Sequence, residues 1–342
     1  MGGRLDLQRG RVEMAHGGGG RAMERLIADL FRDALANEWL AAGADAARVS
    51  PPEGDLVMAT DSHVVSPLFF PGGDIGSLAV HGTLNDLAMG GARPLYLSAG
   101  FVLEEGFPLA DLKRIVDSMA AASREAGVPV TAGDTKVVEG GKGDGVYINT
   151  TGVGAVIEGL EVGPKRVRPG DAILVSGPIG DHGVAILSQR EAIGFGTELR
   201  SDTAALHGLV AAMAEAVPDI RCLRDPTRGG LAAVLNEIAH ASGCGMVIRE
   251  EALPVREAVR AACEFLGLDP LNSANEGRLV AFCPPASADA LLAAMQAHPQ
   301  GREAAIIGEA VTDEDAFVQM ETVLGGRRLV DWLYGEQLPR IC

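Results

Sequence analysis

The chain has 342 residues, long enough for two domains that each bury a core, and its 47% hydrophobic content with 45 Gly, 18 Pro and 4% aromatics points to an aliphatic-cored, turn-rich α/β or α+β enzyme-like protein. A formal charge of −17, from 46 acidic against 29 basic residues with no Lys/Arg run, argues against nucleic acid and anionic membrane as partners, but leaves open a polyphosphate bridged to carboxylates by Mg²⁺. An apolar leader and any stretch of about 18 apolar residues are both lacking, so a cytoplasmic location is expected and disulfides are not.

Residues 1 to about 20 read as a polar, Gly-rich mobile arm, within which Gly17, Gly18, Gly19 and Gly20 form either a flexible linker or a loop that covers phosphates. The stretch "MERLIADLFRDALANEWL" then sets Leu26, Ile27, Leu30, Phe31 and Leu35 at helical spacing. From Asp55 the pattern is strand ("DLVMATDS"), Gly-rich turn, helix ("GSLAVHGTLNDLAM"), strand ("PLYLSAGFVL"), helix ("LADLKRIVDSMAAASREAG"), strand ("VPVTAGD") and strand ("GVYINTTGVGAV"). In the first of these helices Val80, Leu84, Leu87 and Gly91 make the apolar stripe, which predicts that Asn85 and Asp86 lie on another face.

The segment "GPKRVRPG" is the expected joint, giving an arm and helix over 1–45, one domain over 46–164, a second over 165–331 and a mobile tail over 332–342. After the joint, "VRPGDAILVSGPIGDHG" echoes "PPEGDLVMATDSH", a short repeat that hints at two related halves. Further on, "DPTRGGLAAVLNEIAHASG" predicts a helix with Asp225 as N-cap, Pro226 at the first helical position, Leu231, Val234, Leu235 and Ile238 inward, and Gly243 as stop. Arg228, Gly229 and Gly230 at its start would suit an anion.

The common nucleotide-binding and hydrolase motifs are absent: there is no P-loop, no dinucleotide fingerprint, no nucleophile elbow and no zincin helix. Instead, "TDSH" (Asp61), "NDLAMGG" (Asn85, Asp86) and "AGDTK" (Asp134, Lys136) place carboxylates at strand ends or on a helix, from where they could converge on one rim of a sheet. Each Asp taken singly is a turn former or solvated residue. Taken together they are the oxygen donors that a hard Mg²⁺ ion needs. Of the five cysteines, Cys222, Cys244, Cys263 and Cys283 fall in or beside apolar segments, whereas Cys342 ends the chain in "LPRIC" without that explanation.

These residues resemble the HypE family of hydrogenase maturation proteins, within the PurM-like superfamily that also holds aminoimidazole ribonucleotide synthetase, selenophosphate synthetase and thiamine-monophosphate kinase. The likeness rests on "AHGGGGRAMERLI", "GTLNDLAMGGARPLYLS", "TAGDTKVV", "DPTRGGLA", "NSANEGRL" and the terminal "PRIC", in that order along nearly the whole chain. It implies a two-domain PurM-like fold whose N-terminal domains pair into a dimeric β-barrel, and a C-terminal α/β domain ending in the tail. It also implies ATP and Mg²⁺: Asp61, Asn85, Asp86 and Asp134 around Mg–ATP (Asp61, Asp86 and Asp134 on the metal), the Gly17–Gly20 loop over the phosphates, and Arg228, Gly229 and Gly230 beside them. In such a protein HypF carbamoylates the terminal thiol, here Cys342, and ATP-dependent dehydration yields a thiocyanate. The cyanide then passes to iron on a HypC–HypD complex. Lys136 and Glu276 would be the proton-handling pair. Two alternatives remain at this point: a selenophosphate synthetase-like or other PurM-like ATP-dependent enzyme, and a non-catalytic docking protein that uses its tail as a ligand.

Overall fold

The computed structural model describes residues 5–44, 46–191 and 199–332; Cys342 and, Trp332 apart, the tail assigned to it lie outside this set. Helix α1 (Arg21–Leu26) continues as a π-helical stretch, Ile27–Arg32, that buries Leu26, Leu30 and Phe31, and the short α2 (Glu38–Ala41) follows with Asn37 as its cap. Strand β1 (Leu56–His63) and the hairpin β2 (Phe69–Phe70) and β3 (Gly73–Asp74) lead into α3 (Ile75–Met89), where Asp74 and Ser77 form a reciprocal capping box. Then come β4 (Ala92–Glu104), α4 (Leu109–Ala126, stopped by left-handed Gly127), β5 (Val130–Val138) and β6 (Val146–Val156).

The first four-stranded sheet has the order β1-β6-β4-β5, so its first and third strands in chain order lie at opposite edges. Asp61 pairs with Thr150, Thr150 with Ala99, and Ala99 with Gly133, which sets the two edges three strand spacings apart, about 14 Å. One face of this sheet carries α3, α4 and the π-helical stretch over a core that includes Phe31, Leu78, Leu84, Phe101, Leu112 and Ile148. The other face is open: Leu56 is 54% and Met58 72% exposed. The four strands form an open sheet, and no closed barrel is seen among the described residues, so the barrel implied by the resemblance is not present in one chain.

The second unit comprises β7 (Ala172–Val175), α5 (Asp181–Arg190), α6 (His207–Ala216), β8 (Cys222–Arg224), α7 (Gly230–Ser242), β9 (Gly245–Arg249), α8 (Glu257–Leu266), β10 (Val280–Cys283), α9 (Ala288–Ala297), β11 (Ala305–Val311), β12 (Val318–Glu321) and β13 (Arg327–Leu329). Its seven-stranded sheet, ordered β13-β12-β9-β11-β7-β10-β8, is a filling between two helical layers. Alternation along β7 shows this directly, since Ile173 and Val175 join the α7 core while Ala172 and Leu174 join the core of α6 and α9. Ala88 and Met89 of α3 enter that second core and weld the two units together. Among the described residues no helix is long and apolar enough to cross a membrane.

The N-terminal arm departs from its sequence reading. Leu5 N–H donates to Asp29 at 3.0 Å, Val12 exchanges backbone hydrogen bonds with Phe107 and Gly106, and Val12 is 1% exposed. Two apolar anchors among polar neighbours give no periodic signal, which is why composition alone reads as a free arm. Val12→Ala should therefore cost about 1.5–3 kcal/mol in urea unfolding, as a buried residue does. Arg9→Ala, on the exposed side of the same segment, should stay within roughly 0.5 kcal/mol.

Candidate functional site

Three elements from both units bring carboxylates together. On β1 the pleat turns Asp61 and His63 toward α3, and they fit because Gly82 lies opposite: a Cβ there would sit 2.8 Å from the His63 ring and 3.5 Å from Asp61 Oδ2. Asp86 comes from the last turns of α3, and Asp225 follows the end of β8. Burial, together with the charges of Asp225 and Asp61, pushes the Asp86 carboxyl up to about 7 against the pull of Arg224 and Arg228. Burial likewise raises Asp225 to about 6, and Asp61 adds to that rise.

Arg228 lies 3.6 Å from Asp61, and His63 Nε2 lies 3.7 Å from the same carboxylate. Burial holds the His63 imidazole below its ordinary range, with Asp61 opposing, so the ring is neutral at pH 7 and supplies no compensating charge. The cluster therefore carries excess negative charge. Among the described residues no three His, Cys, Asp or Glu side chains are arranged to hold a metal ion unaided.

Asp225, His63 and Arg224 were missed by sequence reasoning. The signal for Asp225 was present but misassigned, because Asp-Pro before a helix resembles a cap. In the structure α7 starts at Gly230 with Gly229 as its N-cap, both at positive φ, so Asp225 and Pro226 precede the helix. A Cβ at Gly230 would meet the Leu271 and Ser273 carbonyl oxygens at 2.5 and 2.6 Å, so close packing already accounts for that glycine.

Two of the residues assigned to Mg–ATP do not join the cluster. Asp134 sits on the far edge strand, in register with Gly100, Asn149 and Ser62 on the uncovered face of the sheet, while Asp61 faces α3. Its partner there is Lys136, 2.7 Å away, and that hydrogen bond holds the Asp134 carboxyl below the usual range. Asn85 is 1% exposed: its Nδ2 donates to the carbonyls of Ala204 (3.0 Å) and Glu276 (3.2 Å), and its Oδ1 accepts from Leu206 N–H (2.8 Å). The amide is spent on joining the two units, and α3 has no solvated face for it.

Lys136 and Glu276, expected as a pair, lie in different settings. Lys136 is on the open sheet face, whereas Glu276 is 4% exposed at the junction that Asn85 closes. Beside Lys136, the β5 residues from Val130 to Thr135 line a cleft of about 500 Å³ whose apolar wall includes Ile27, Phe31, Leu35 and Trp39. One residue beyond Lys136, Val137 backs directly onto Gly17, whose Cβ would come within 2.6 Å of its nitrogen. Cleft, Lys136 and Gly17–Gly20 loop thus succeed one another along a single strand.

Cys222, Cys244, Cys263 and Cys283 are all buried. Burial pushes the Cys222 thiol up to about 12 and the Cys283 thiol up to about 11, with Cys263 also raised.

Family models of the AIR synthase related protein match residues 43–156 with their N-terminal domain and residues 168–321 with their C-terminal domain. The chain is 70% identical over 339 residues to carbamoyl dehydratase HypE of Azotobacter vinelandii, covering 99% of each. The solved structure of the hydrogenase maturation protein HypE in complex with ATP is similar with a TM-score of 0.93 and 51% identity, covering 96% of this chain and 99% of that one. HypE in a HypE–HypF complex is similar with a TM-score of 0.80 and 50% identity, covering 90% and 99%.

Charge crowding at Asp86 has a measurable sign. A carboxyl whose pKa rises on folding makes the native state bind more protons between about 3.8 and about 7, so stability falls as pH rises through that window. Asp86→Asn, unfolded by urea in EDTA, should gain on the order of 1 kcal/mol over the parent at pH 8, and that gain should vanish toward pH 4. An equal difference at both pH values would show that Asp86 is not held against ionisation.

Proposed function

This chain belongs to the AIR synthase related family and, within it, to the HypE carbamoyl dehydratases, and on that premise we propose that it dehydrates an S-carbamoyl group carried on its own Cys342 to a thiocyanate at the expense of ATP. The distribution of thiols carries this reading. Four of the five cysteines are buried, three of them with raised thiol pKa values, which leaves Cys342 as the candidate carrier.

The chemistry follows from the leaving group. The carbamoyl oxygen attacks the γ-phosphorus and ADP departs; loss of one N–H proton leaves a phosphorylated imidate. Loss of the second N–H proton then expels phosphate and leaves S–C≡N, so the oxygen ends in phosphate and the two nitrogen protons go to bases. Lys136 would steady charge on the oxygen and Glu276 would take a proton.

The cleft beside β5 fits a nucleobase against its apolar wall, with the triphosphate running past Asp134 and Lys136 to the Gly17–Gly20 loop. Mg²⁺ is assigned beside the carboxylate cluster, where burial and the charges of Asp225 and Asp61 raise Asp86, and where a hard divalent cation that takes most of its ligands from waters and phosphate oxygens would offset the carboxylates. Asp61, Asp86 and Asp225 would border it without enclosing it, with Arg228, Gly229 and Gly230 at the edge.

Asp134 and Lys136 face away from that cluster, on the open side of the sheet. A homodimer packed through this open face would cover Leu56 and Met58 and close the strands into a barrel. A HypF-type carbamoyltransferase would load Cys342, consistent with the HypE–HypF complex among similar structures, and a HypC–HypD complex would accept the cyanide. The setting for all of this is the cytoplasm.

Incubation with the carbamoylating partner, carbamoyl phosphate and ATP should modify the C-terminal peptide only, and Mg–ATP should then remove one water from it, both read by peptide mass spectrometry. Cys342→Ala should abolish both changes. Lys136→Ala and Glu276→Ala should permit loading and slow dehydration by roughly 100-fold or more. Modification at Cys222 or Cys263 in place of Cys342 would refute the assignment. For the dimer, light scattering on Met58→Glu should report a monomer where the parent is a dimer; an unchanged mass would place the interface elsewhere.

A further inference from the structure

Glu276 lies in the run Asn275–Arg278, whose main chain is gripped by buried side chains. Asp202, with a side chain 0% exposed, accepts the Glu276 N–H through Oδ1 at 3.0 Å, and its Oδ2 faces Arg278 Nε at 3.7 Å. On the other side Asn85 Nδ2 donates to Glu276 O at 3.2 Å. Asn275 adds a third hold: it donates to Pro226 O at 3.0 Å and accepts the Gly180 N–H at 2.7 Å. Gly277 leaves no slack, since a Cβ there would lie 1.8 Å from Asp202 O.

The cost of this arrangement is informative. A buried ion pair such as Asp202–Arg278 is weak evidence of stabilisation, because desolvation takes back much of the attraction and apolar packing often does as well. What it secures is geometry. Asn85 immediately precedes Asp86, so the amide that holds the Glu276 carbonyl and a carboxylate of the cluster are separated by one peptide unit on the rigid α3. Any tilt of α3 carries both together.

We infer that Asp202 and Asn85 are positioning residues for Glu276: between them they fix the backbone from which its carboxyl reaches and tie it to the helix that bears Asp86. This rests on the reading of Glu276 as proton acceptor in the proposed dehydration. A side chain that must receive a proton at one moment of a reaction gains from being aimed beforehand, and misplacement by about 1 Å can cost 100-fold in rate.

Single-turnover dehydration of the full-length, carbamoyl-loaded chain at saturating Mg–ATP tests the inference. Asp202→Ala should slow dehydration by about tenfold or more, with loading and the ATP concentration for half-maximal rate unchanged. Asp202→Asn keeps an acceptor for the Glu276 N–H and should recover to within about threefold of the parent. In a Glu276→Gln background Asp202→Ala should add less than about twofold, because it acts through a group already disabled. Full additivity there, or Asp202→Asn as slow as Asp202→Ala, would overturn the inference. If Glu276→Gln alone runs at the parental rate, the reading of Glu276 fails instead, which is a separate outcome. Should circular dichroism show Asp202→Ala unfolded, the same cycle run with Asn85→Asp decides, since that change keeps the acceptor for Leu206 and removes both donors.

Discussion

The crowding of Asp61, Asp86 and Asp225 is the constraint on which the rest of the molecule turns. Carboxylates that repel one another hold together only if the backbone beneath them cannot separate, and these three come from a strand, a helix and a post-strand turn in two different units. The Asn85 amide, the insertion of Ala88 and Met89 into the second core and the close approach at Gly82 supply that rigidity. The Asp86 carboxyl is raised by its burial first and by the nearby charges of Asp225 and Asp61 second. A domain arrangement free to open would lower that strain at once, so welded units and a charged pocket are two views of one requirement.

Much of the local structure could be read from the residues. The stretch "LADLKRIVDSMAAASREAG" was expected as a helix and forms α4, and "DLVMATDS" was expected as a strand and forms most of β1. What failed was whatever depends on partners distant in sequence. Asn85 and Asp86 were expected on a face other than the apolar stripe, but α3 is covered nearly all round because residues 202–206 and 276 close over it. Asp134 was grouped with Asp61 because both end strands. The order β1-β6-β4-β5 cannot be seen in one sequence, and it sets them on opposite edges and opposite faces. Asp225 was read as a cap because a helix followed, when two left-handed glycines intervene.

The thiols follow a simple physical rule. Burial disfavours thiolate, so Cys222 at about 12 and Cys283 at about 11 behave as small hydrophobes, and neither competes for an electrophile. A carrier thiol needs the reverse: exposure, and freedom to reach more than one place. No position within the seven-stranded sheet offers both.

The division of the candidate machinery between two faces of one sheet has a further consequence. Asp61 faces the helices, one of which carries Asp86, and Asp134 and Lys136 face outward from the opposite edge, about 14 Å away by strand spacing. No side-chain rotation brings groups on opposite sides of a hydrogen-bonded sheet to the same phosphate. The outward pair is therefore separated from the cluster by the sheet itself, in one chain and equally in a dimer packed open face to open face. That face has apolar character, since Leu56 and Met58 stand uncovered beside polar Thr60 and Ser62 on the same strand. Association through it would cover apolar surface and set the outward pairs of both copies between the two sheets.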